Sequence, residues 1–272
     1  MSDRTTAFRQ LHTRPQPLRL PNAWDAGSAR LFESLGAPAI ATTSAGVAWA
    51  LGYPDGYKLP VDVVIGLAEN IARVLTVPLS IDIENGYSDN PDVVAETALR
   101  LVDAGVVGIN IEDGTESPAR LAAKIEKIKA ATSKRGVDLF VNARTDVFLA
   151  GLAESSKRVE ETLARAALYR AAGADGLFVP ALLQPAQIQA IVAGVELPLN
   201  VMAWPGLPSA AELGQLGVRR LSAGSGIAQA LWGQAERLAR DFLETGRSDP
   251  LGEGQMPYPQ LQGLFARAGT KG

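Results

Sequence analysis

Residues 79–84 and 108–113 alternate apolar and polar side chains with a period of two, and a helical segment from Pro91 to about Ala104 joins them. Successive side chains of a strand point to opposite faces. Ile81, Ile83, Ile109 and Ile111 therefore share one side, and Asp82, Glu84, Asn110 and Glu112 share the other. Residues 140–144 repeat the pattern, with Val141 and Ala143 on one face and Asn142 and Arg144 on the other. An apolar face packed on helices is ordinary, whereas a charged opposite face is not. If the three strands are parallel neighbours, their carboxyl ends gather Asp82, Glu84, Glu112 and Arg144 into one pocket, where α/β sheets place their ligands.

The same reading along the whole chain yields an alternation. Residues 5–12 form a short amphipathic helix with Phe8 and Leu11 on one side, and the sole histidine, His12, is expected on the surface. A strand at 18–24 leads into a helix at 25–36, capped by Asp25 and stopped at Gly36. A strand at 38–44 is followed by a small-residue turn, a loop at 49–57 and a helix at 61–75. After the central segment come helices at 117–133, 154–172, 185–193, 208–216 and 225–244, and strands at 138–144, 175–180, 197–203 and 219–224. Small-residue and glycine pairs before several strands, such as Ala104 with Gly105 and Ala172 with Gly173, suit helix stops that turn back into a parallel sheet. Eight strands, each followed by helix, predict an α/β fold, a (β/α)8 TIM barrel over residues 1–245. The tail at 246–272 is expected to be helical and to pack on a neighbouring subunit, because Tyr258, Leu261, Leu264 and Phe265 would otherwise form an exposed apolar patch. A doubly wound open sheet is the rival, but the turn after the first strand lacks a glycine-rich phosphate cradle.

Composition narrows the function. The 272 residues carry a net charge of −3 and no basic stripe, which argues against nucleic acid. No run reaches the length of a membrane span and the first residues lack a signal-peptide core, so a cytoplasmic protein is expected. The absence of cysteine removes disulfides, thiolate metal sites and a cysteine nucleophile. With one histidine, a histidine-ligated zinc site or a Ser/His/Asp triad is also excluded as a sensible reading. Clustered carboxylates repel, by about 4 kcal/mol for two unit charges 4 Å apart at an effective dielectric near 20. Arg144 alone does not balance three of them. Hard carboxylate oxygens favour Mg²⁺, or Mn²⁺, as the counter-charge.

Five spaced motifs then carry a resemblance. Residues 82–87 (Asp82, Ile83, Glu84, Asn85, Gly86, Tyr87), 111–114 (Ile111, Glu112, Asp113, Gly114) and 142–146 (Asn142, Ala143, Arg144, Thr145, Asp146), with 42–48 and 51–55 before them, resemble the isocitrate lyase/phosphoenolpyruvate mutase superfamily. The resemblance implies a barrel, a Mg²⁺ site and chemistry on small 2-oxo or 2-hydroxy acids. It implies Asp82 as the direct metal ligand, with Asp55, Glu84 and Glu112 holding the ion's waters. Arg144 is implied to steady the substrate carboxylate or a forming enolate oxygen, and the backbone amides of Ser44, Ala45 and Gly46 to bind the carboxylate. Glu84 stands where aspartate is commoner in the family. The cysteine-bearing lid of the isocitrate and methylisocitrate lyases is absent, since residues 112–121 run directly into a helix. The asparagine-bearing lid of phosphonopyruvate enzymes is not evident either.

The implied activity is Mg²⁺-dependent carbon–carbon cleavage of an oxaloacetate-like or methylisocitrate-like acid through a stabilised enolate. The alternatives are carbon–phosphorus chemistry on phosphonopyruvate and binding of an oxo acid without turnover. Tyr87, Tyr57 or Tyr53 is a candidate proton donor in place of the cysteine, and Asn200 a candidate contact to a substrate oxygen. Trp24, Trp49 and Trp204 could wall the pocket or serve the core. A homodimer or homotetramer is expected by the same resemblance.

Overall fold

In this computed structural model, which describes residues 2–266, α1 (Ser2–Leu11) leads into a first strand that breaks at Pro21. Proline has no N–H to give to a ladder. The break leaves β1 (Leu18–Leu20) and β2 (Asn22–Ala23). The chain continues through α2 (Ala26–Ser34), β3 (Ile40–Thr42), α3 (Ser44–Ala50), α4 (Val61–Val74), β4 (Leu79–Asp82), α5 (Pro91–Asp103), β5 (Gly108–Glu112), α6 (Pro118–Lys134) and β6 (Phe140–Arg144). After a π-helical turn at Val147–Gly151 come α7 (Arg158–Ala171), β7 (Gly176–Val179), α8 (Pro185–Gly194), β8 (Leu199–Met202), α9 (Ala210–Gln215), β9 (Arg220–Ser222) and α10 (Gly226–Thr245). Two short helices, α11 (Asp249–Gly252) and α12 (Tyr258–Phe265), complete the described chain.

Every strand pairing is parallel, in the order β1-β9-β8-β7-β6-β5-β4-β3-β2. The sheet's ends, β1 and β2, flank a single residue, Pro21, so the interrupted strand closes the cylinder. The eight expected strands are therefore present, the first in two pieces, each piece serving a different neighbour.

The side-chain alternation falls as the sequence pattern requires. Ile81, Ile83, Ile109 and Ile111 are buried in the layer between sheet and helices, in the cluster that includes Val94, Ala98 and Leu101 of α5. The other parity fills the cylinder with polar groups. Asn142 donates through Nδ2 to Oδ1 of Asn110 at 2.9 Å and of Asn200 at 3.1 Å, and Asn200 donates to Ser222 Oγ at 3.0 Å. Gly176 leaves room for this network, since a Cβ there would lie 2.6 Å from Asn142 Oδ1.

The amino-terminal end of the cylinder is plugged by α1. Phe8 and Leu11 pack with Leu18, Leu20, Ala39, Ala41, Val107 and Phe140, and a Cβ at Gly108 would stand 2.7 Å from the Phe8 ring. Arg9 anchors the plug by pairing with Asp138 and with Asp175, the latter at 2.9 Å. Here the structure corrects the surface assignment of His12. Four residues after Phe8, it shares that residue's helix face and is carried into the floor. Its side chain stacks on Phe140 at 4.4 Å, and its Nδ1 lies 2.8 Å from the Phe8 carbonyl oxygen.

Two other departures bear on the site. The small-residue turn is a helix, α3, capped by Thr43, and the segment after β6 winds as a π-helical turn. In the tail, α12 packs on α2 of its own chain, and Arg30 Nε donates to the Leu264 carbonyl at 2.8 Å. Tyr258 and Leu261 stay exposed. Among the described residues no helix is long and apolar enough to cross a membrane.

Candidate active site

Arg144, the last residue of β6, is the best-held side chain at the carboxyl end of the cylinder. Asp146, two residues on, takes its Nε at 2.7 Å and its Nη2 at 3.0 Å, and Glu112 Oε2 lies 2.7 Å from Nη1. The guanidinium also sits over the Phe178 ring, 5.7 Å from its centroid. Burial alone would lower the pKa of this cation, but Glu112 and Asp146 reverse the effect and fix the charge. Asp146 is itself positioned from behind. Its N–H donates to Asp113 Oδ1 at 2.9 Å, while Asp113 Oδ2 accepts from Arg165 at 2.9 Å and from the Tyr169 hydroxyl at 2.5 Å, both on α7.

Strand register delivers the acids to the same end. Glu112 lies opposite Arg144, and Asp82 opposite Asn110. Asp82 Oδ1 accepts the Glu84 N–H at 3.0 Å and Oδ2 accepts Asn110 Nδ2 at 3.3 Å. Beyond the strand the chain turns through Glu84 and Tyr87, both with positive φ, a conformation that costs energy outside glycine and often marks functional turns. Tyr57, from the loop before α4, bridges two of the acids. Its N–H donates to Glu84 Oε2, and its hydroxyl donates to Glu112 Oε1 at 2.9 Å. Gly114 admits it, since a Cβ there would lie 2.6 Å from the Tyr57 hydroxyl.

Burial pushes the Asp82, Glu84 and Glu112 carboxyls upward, Glu112 to about 8. Arg144 opposes the rise at Asp82 and Glu112, while the acids aggravate one another. The site thus crowds together more carboxyls than Arg144 can keep ionised, and the buried Arg220, which donates to Asn110 Oδ1 at 3.2 Å, acts on Asp82 from below.

These groups surround a cavity of about 220 Å³. Of the candidates from sequence, Ser44, Ala45, Asp55, Asp82 and Arg144 line it. Ser44 and Ala45 lie in the first turn of α3, where N–H groups have no intrahelical partner. Gly46 is one step too deep. Its N–H faces Thr43 Oγ1 at 3.5 Å, and a Cβ there would meet Thr43 Cγ2 at 2.7 Å, so its smallness serves helix packing. Glu84 and Glu112 stand behind the lining, joined by Tyr57. Tyr87 is half-buried beside Glu84, which raises the pKa of its hydroxyl further above burial's own effect. Asn200 is spent in the interior network, away from the cavity. Trp204 lines the cavity, whereas Trp24 and Trp49 lie elsewhere.

Sequence reasoning gave no role to Asp146, although it closes the 142–146 motif, and it missed Phe178. Asp146 lies beyond the strand, where parity says nothing, although a carboxylate two residues from a strand-end arginine is a usable signal. Phe178 has the inward parity of Gly176 and pairs in register with Arg144, but an aromatic in an apolar run reads as core.

A divalent cation fits this donor set through water. Among the described residues no three carboxylates converge tightly enough to chelate an ion directly. A small hard cation that keeps most of its waters needs no such cluster. The Glu84 Oε1 atom is buried with no hydrogen-bond partner, and Asp55 and Asp82 face the cavity on the same side of the charge balance.

A parallel barrel with an arginine and several acids at its carboxyl end defines a class of enzyme site, and the comparisons place the chain within it. Residues 8–243 match the phosphoenolpyruvate phosphomutase family. The chain belongs to this family and so is an enzyme of the isocitrate lyase/phosphoenolpyruvate mutase superfamily. An uncharacterized protein of Mycobacterium tuberculosis is 40% identical over 266 residues, covering 94% of this chain and 95% of that one. An oxaloacetate decarboxylase of Bradyrhizobium sp. is 30% identical over 272 residues, covering 96% and 89%. The solved structure of a phosphoenolpyruvate phosphomutase from Streptomyces platensis subsp. rosaceus superposes with a TM-score of 0.84 at 25% identity, covering 96% of this chain and 95% of that one.

Proposed function

We propose that this protein is a carbon–carbon lyase that cleaves a small 2-oxo or 2-hydroxy acid with the help of Mg²⁺ or Mn²⁺. The observation that carries the reading is Arg144, gripped by Asp146 and Glu112 and facing a small cavity that Asp55 and Asp82 also line. Bond cleavage next to a carbonyl leaves negative charge on the carbonyl oxygen, and fixed cationic donors aimed there lower the barrier. Arg144 supplies such donors without having to reorganise. A cation held by Asp82, with Asp55, Glu84 and Glu112 on its waters, would supply Lewis-acid polarisation of the same oxygen. The first-turn amides of Ser44 and Ala45 suit the substrate carboxylate.

The relatives support a lyase of this kind, since the Bradyrhizobium protein above is an oxaloacetate decarboxylase and a 29% identical protein of Escherichia coli is a 2-methylisocitrate lyase. The family match to a phosphomutase keeps carbon–phosphorus chemistry as the competing outcome. The test is a panel of oxaloacetate, substituted malates, methylisocitrate and phosphonopyruvate, with Mg²⁺ and with EDTA, followed by proton and phosphorus NMR. Mg²⁺-dependent carbon–carbon cleavage supports the reading. Turnover of phosphonopyruvate alone replaces it with phosphonate chemistry, and binding with no turnover leaves a binding protein.

A further inference from the structure

A second guanidinium stands inside the cylinder, beneath the cavity. Arg220 lies on β9 opposite Asn200, and its side chain is fully buried. Arg144 and Arg165 each pair with two carboxylates. Arg220 forms no such pair among the described residues, and its Nε and Nη1 have no protein partner. Burial lowers its pKa to about 10 while Asp82 pulls the other way, so it stays charged at neutral pH. On the floor side it acts on His12, a neutral imidazole whose protonation it opposes. A buried, unpaired charge costs stability, and a well-packed apolar side chain of similar volume often serves a fold as well or better. The fold alone therefore gives no reason for a cation at this position.

The hydrogen bond that Arg220 does make leads to the site. Its Nη2 donates to Asn110 Oδ1 at 3.2 Å, and Asn142 Nδ2 donates to the same oxygen at 2.9 Å. With its oxygen taken by two donors, the Asn110 amide turns its NH₂ the other way, where it donates to Asp82 Oδ2 at 3.3 Å. The reversed amide would set its NH₂ against two donors and its oxygen against a carboxylate oxygen. Asn142 by itself is the weaker lock, since it is neutral and shares its Nδ2 with Asn200 at 3.1 Å. The other Asp82 oxygen, Oδ1, is held by the Glu84 N–H at 3.0 Å. Each oxygen is thus fixed by one donor and keeps capacity for another bond. Asn110 and Asp82 both line the cavity, so the connection that starts at Arg220 ends at its wall.

We infer that Arg220 is a positioning residue: acting through Asn110, it fixes the Asp82 carboxylate in the orientation that receives the divalent cation. The inference rests on the proposed assignment of Asp82 as the cation's ligand, and the test separates the two. Electron paramagnetic resonance of Mn²⁺ titrated into the full chain measures affinity in the wild type, Arg220→Met, Arg220→Lys, Asn110→Ala, the Asn110→Ala/Arg220→Met pair and Asp82→Asn. Urea unfolding is run on each.

Arg220→Met should keep or raise the urea midpoint and weaken Mn²⁺ about tenfold or more, as is usual when a group behind a metal ligand is lost. Removing a positive charge would by itself tighten a cation, so the weakening reports lost orientation. Arg220→Lys keeps a charged donor for Asn110 and should recover part of the loss. In the Asn110→Ala background Arg220→Met should cause no further loss, because its route runs through that amide. Should Arg220→Met not fold, Arg220→Gln takes its place with the same expectation for Mn²⁺. Undiminished Mn²⁺ affinity in the Arg220 variant, or equal losses with and without Asn110, overturns this inference and spares the Asp82 assignment. So does a loss that Arg220→Lys does not lessen and that accompanies a lower urea midpoint, which marks a purely structural role. No bound Mn²⁺ in the wild type, or binding that Asp82→Asn leaves unchanged, overturns both.

Discussion

His12 gives a prediction whose size follows from its surroundings. Burial, with Arg220 nearby and Arg9 beyond it, lowers its pKa from about 6.5 to about 3, against a smaller upward push from the Phe8 carbonyl. Its Nε2 is buried without a partner. Between those two values the unfolded chain binds a proton that the folded chain does not, so stability falls as pH drops through this window and is recovered above it. For a shift from 6.5 to 3 the loss is negligible near pH 7.5 and about 2 kcal/mol near pH 5. His12→Phe keeps a ring against Phe140 and removes the titration. Urea unfolding at both pH values should show the wild type losing about 2 kcal/mol more than the variant on acidification. Glu33 and Asp138, whose carboxyls are held low, also cost stability in acid, but they are present in both proteins and cancel in the difference. Parallel losses in the two proteins would refute a neutral buried imidazole in the barrel floor.

Three further outcomes follow from the same geometry. Asp146→Asn removes the charge that grips Arg144 side-on, and should weaken Mg²⁺-dependent oxalate binding by about tenfold or more, as expected when a charge-assisted bond is lost; unchanged affinity by calorimetry would show that Arg144 needs no such support. Gly114→Ala forces a Cβ to within 2.6 Å of the Tyr57 hydroxyl at a φ of 52°, whereas Gly52, also at positive φ, has nothing nearby. Gly114→Ala should therefore cost about 1–3 kcal/mol more than Gly52→Ala in urea unfolding, and equal costs would contradict the Tyr57 bridge. The chain is proposed to associate, given the exposed Leu231, Trp232, Phe242 and Leu243 of α10 and the apolar tail. Removing residues after Gly252 should lower the mass seen in sedimentation, and an unchanged mass would count against the tail as a subunit contact.

Much of the fold was legible because period-two alternation is a local property. Ile81 and Asp82 could be assigned to opposite faces without knowing what lay on either side. That Glu112 and Arg144 reach the same end of the sheet followed from similar strands sharing one direction, whereas the register that sets them opposite each other is a property of the ladder. The remainder depended on contacts distant in sequence. His12 reads as polar and lies near the start of the chain, yet its helix face is committed by Phe8, four residues earlier, and by Phe140, far along the chain. Asn200 has inward parity, but parity does not tell the middle of a cylinder from its mouth, and Asn142, Ser222 and the Val201 and Arg220 carbonyls consume its hydrogen bonds deep inside. Tyr57 was one of three similar tyrosines, and only the loop's path over Gly114 selects it as the bridge. Gly46 looked like an opening for a ligand, and the space it leaves is filled by Thr43 and Trp24 of its own chain.

The central claim is that Asp82 and its neighbours hold a divalent cation beside Arg144, where a small acid meets both. Electron paramagnetic resonance of Mn²⁺ titrated into the protein tests it directly. The account predicts one tight Mn²⁺ per chain, a spectrum altered by oxalate in the wild type, and loss of the bound signal in Asp82→Asn. A bound-ion spectrum that Asp82→Asn leaves unchanged, or no bound ion in the wild type, would contradict it.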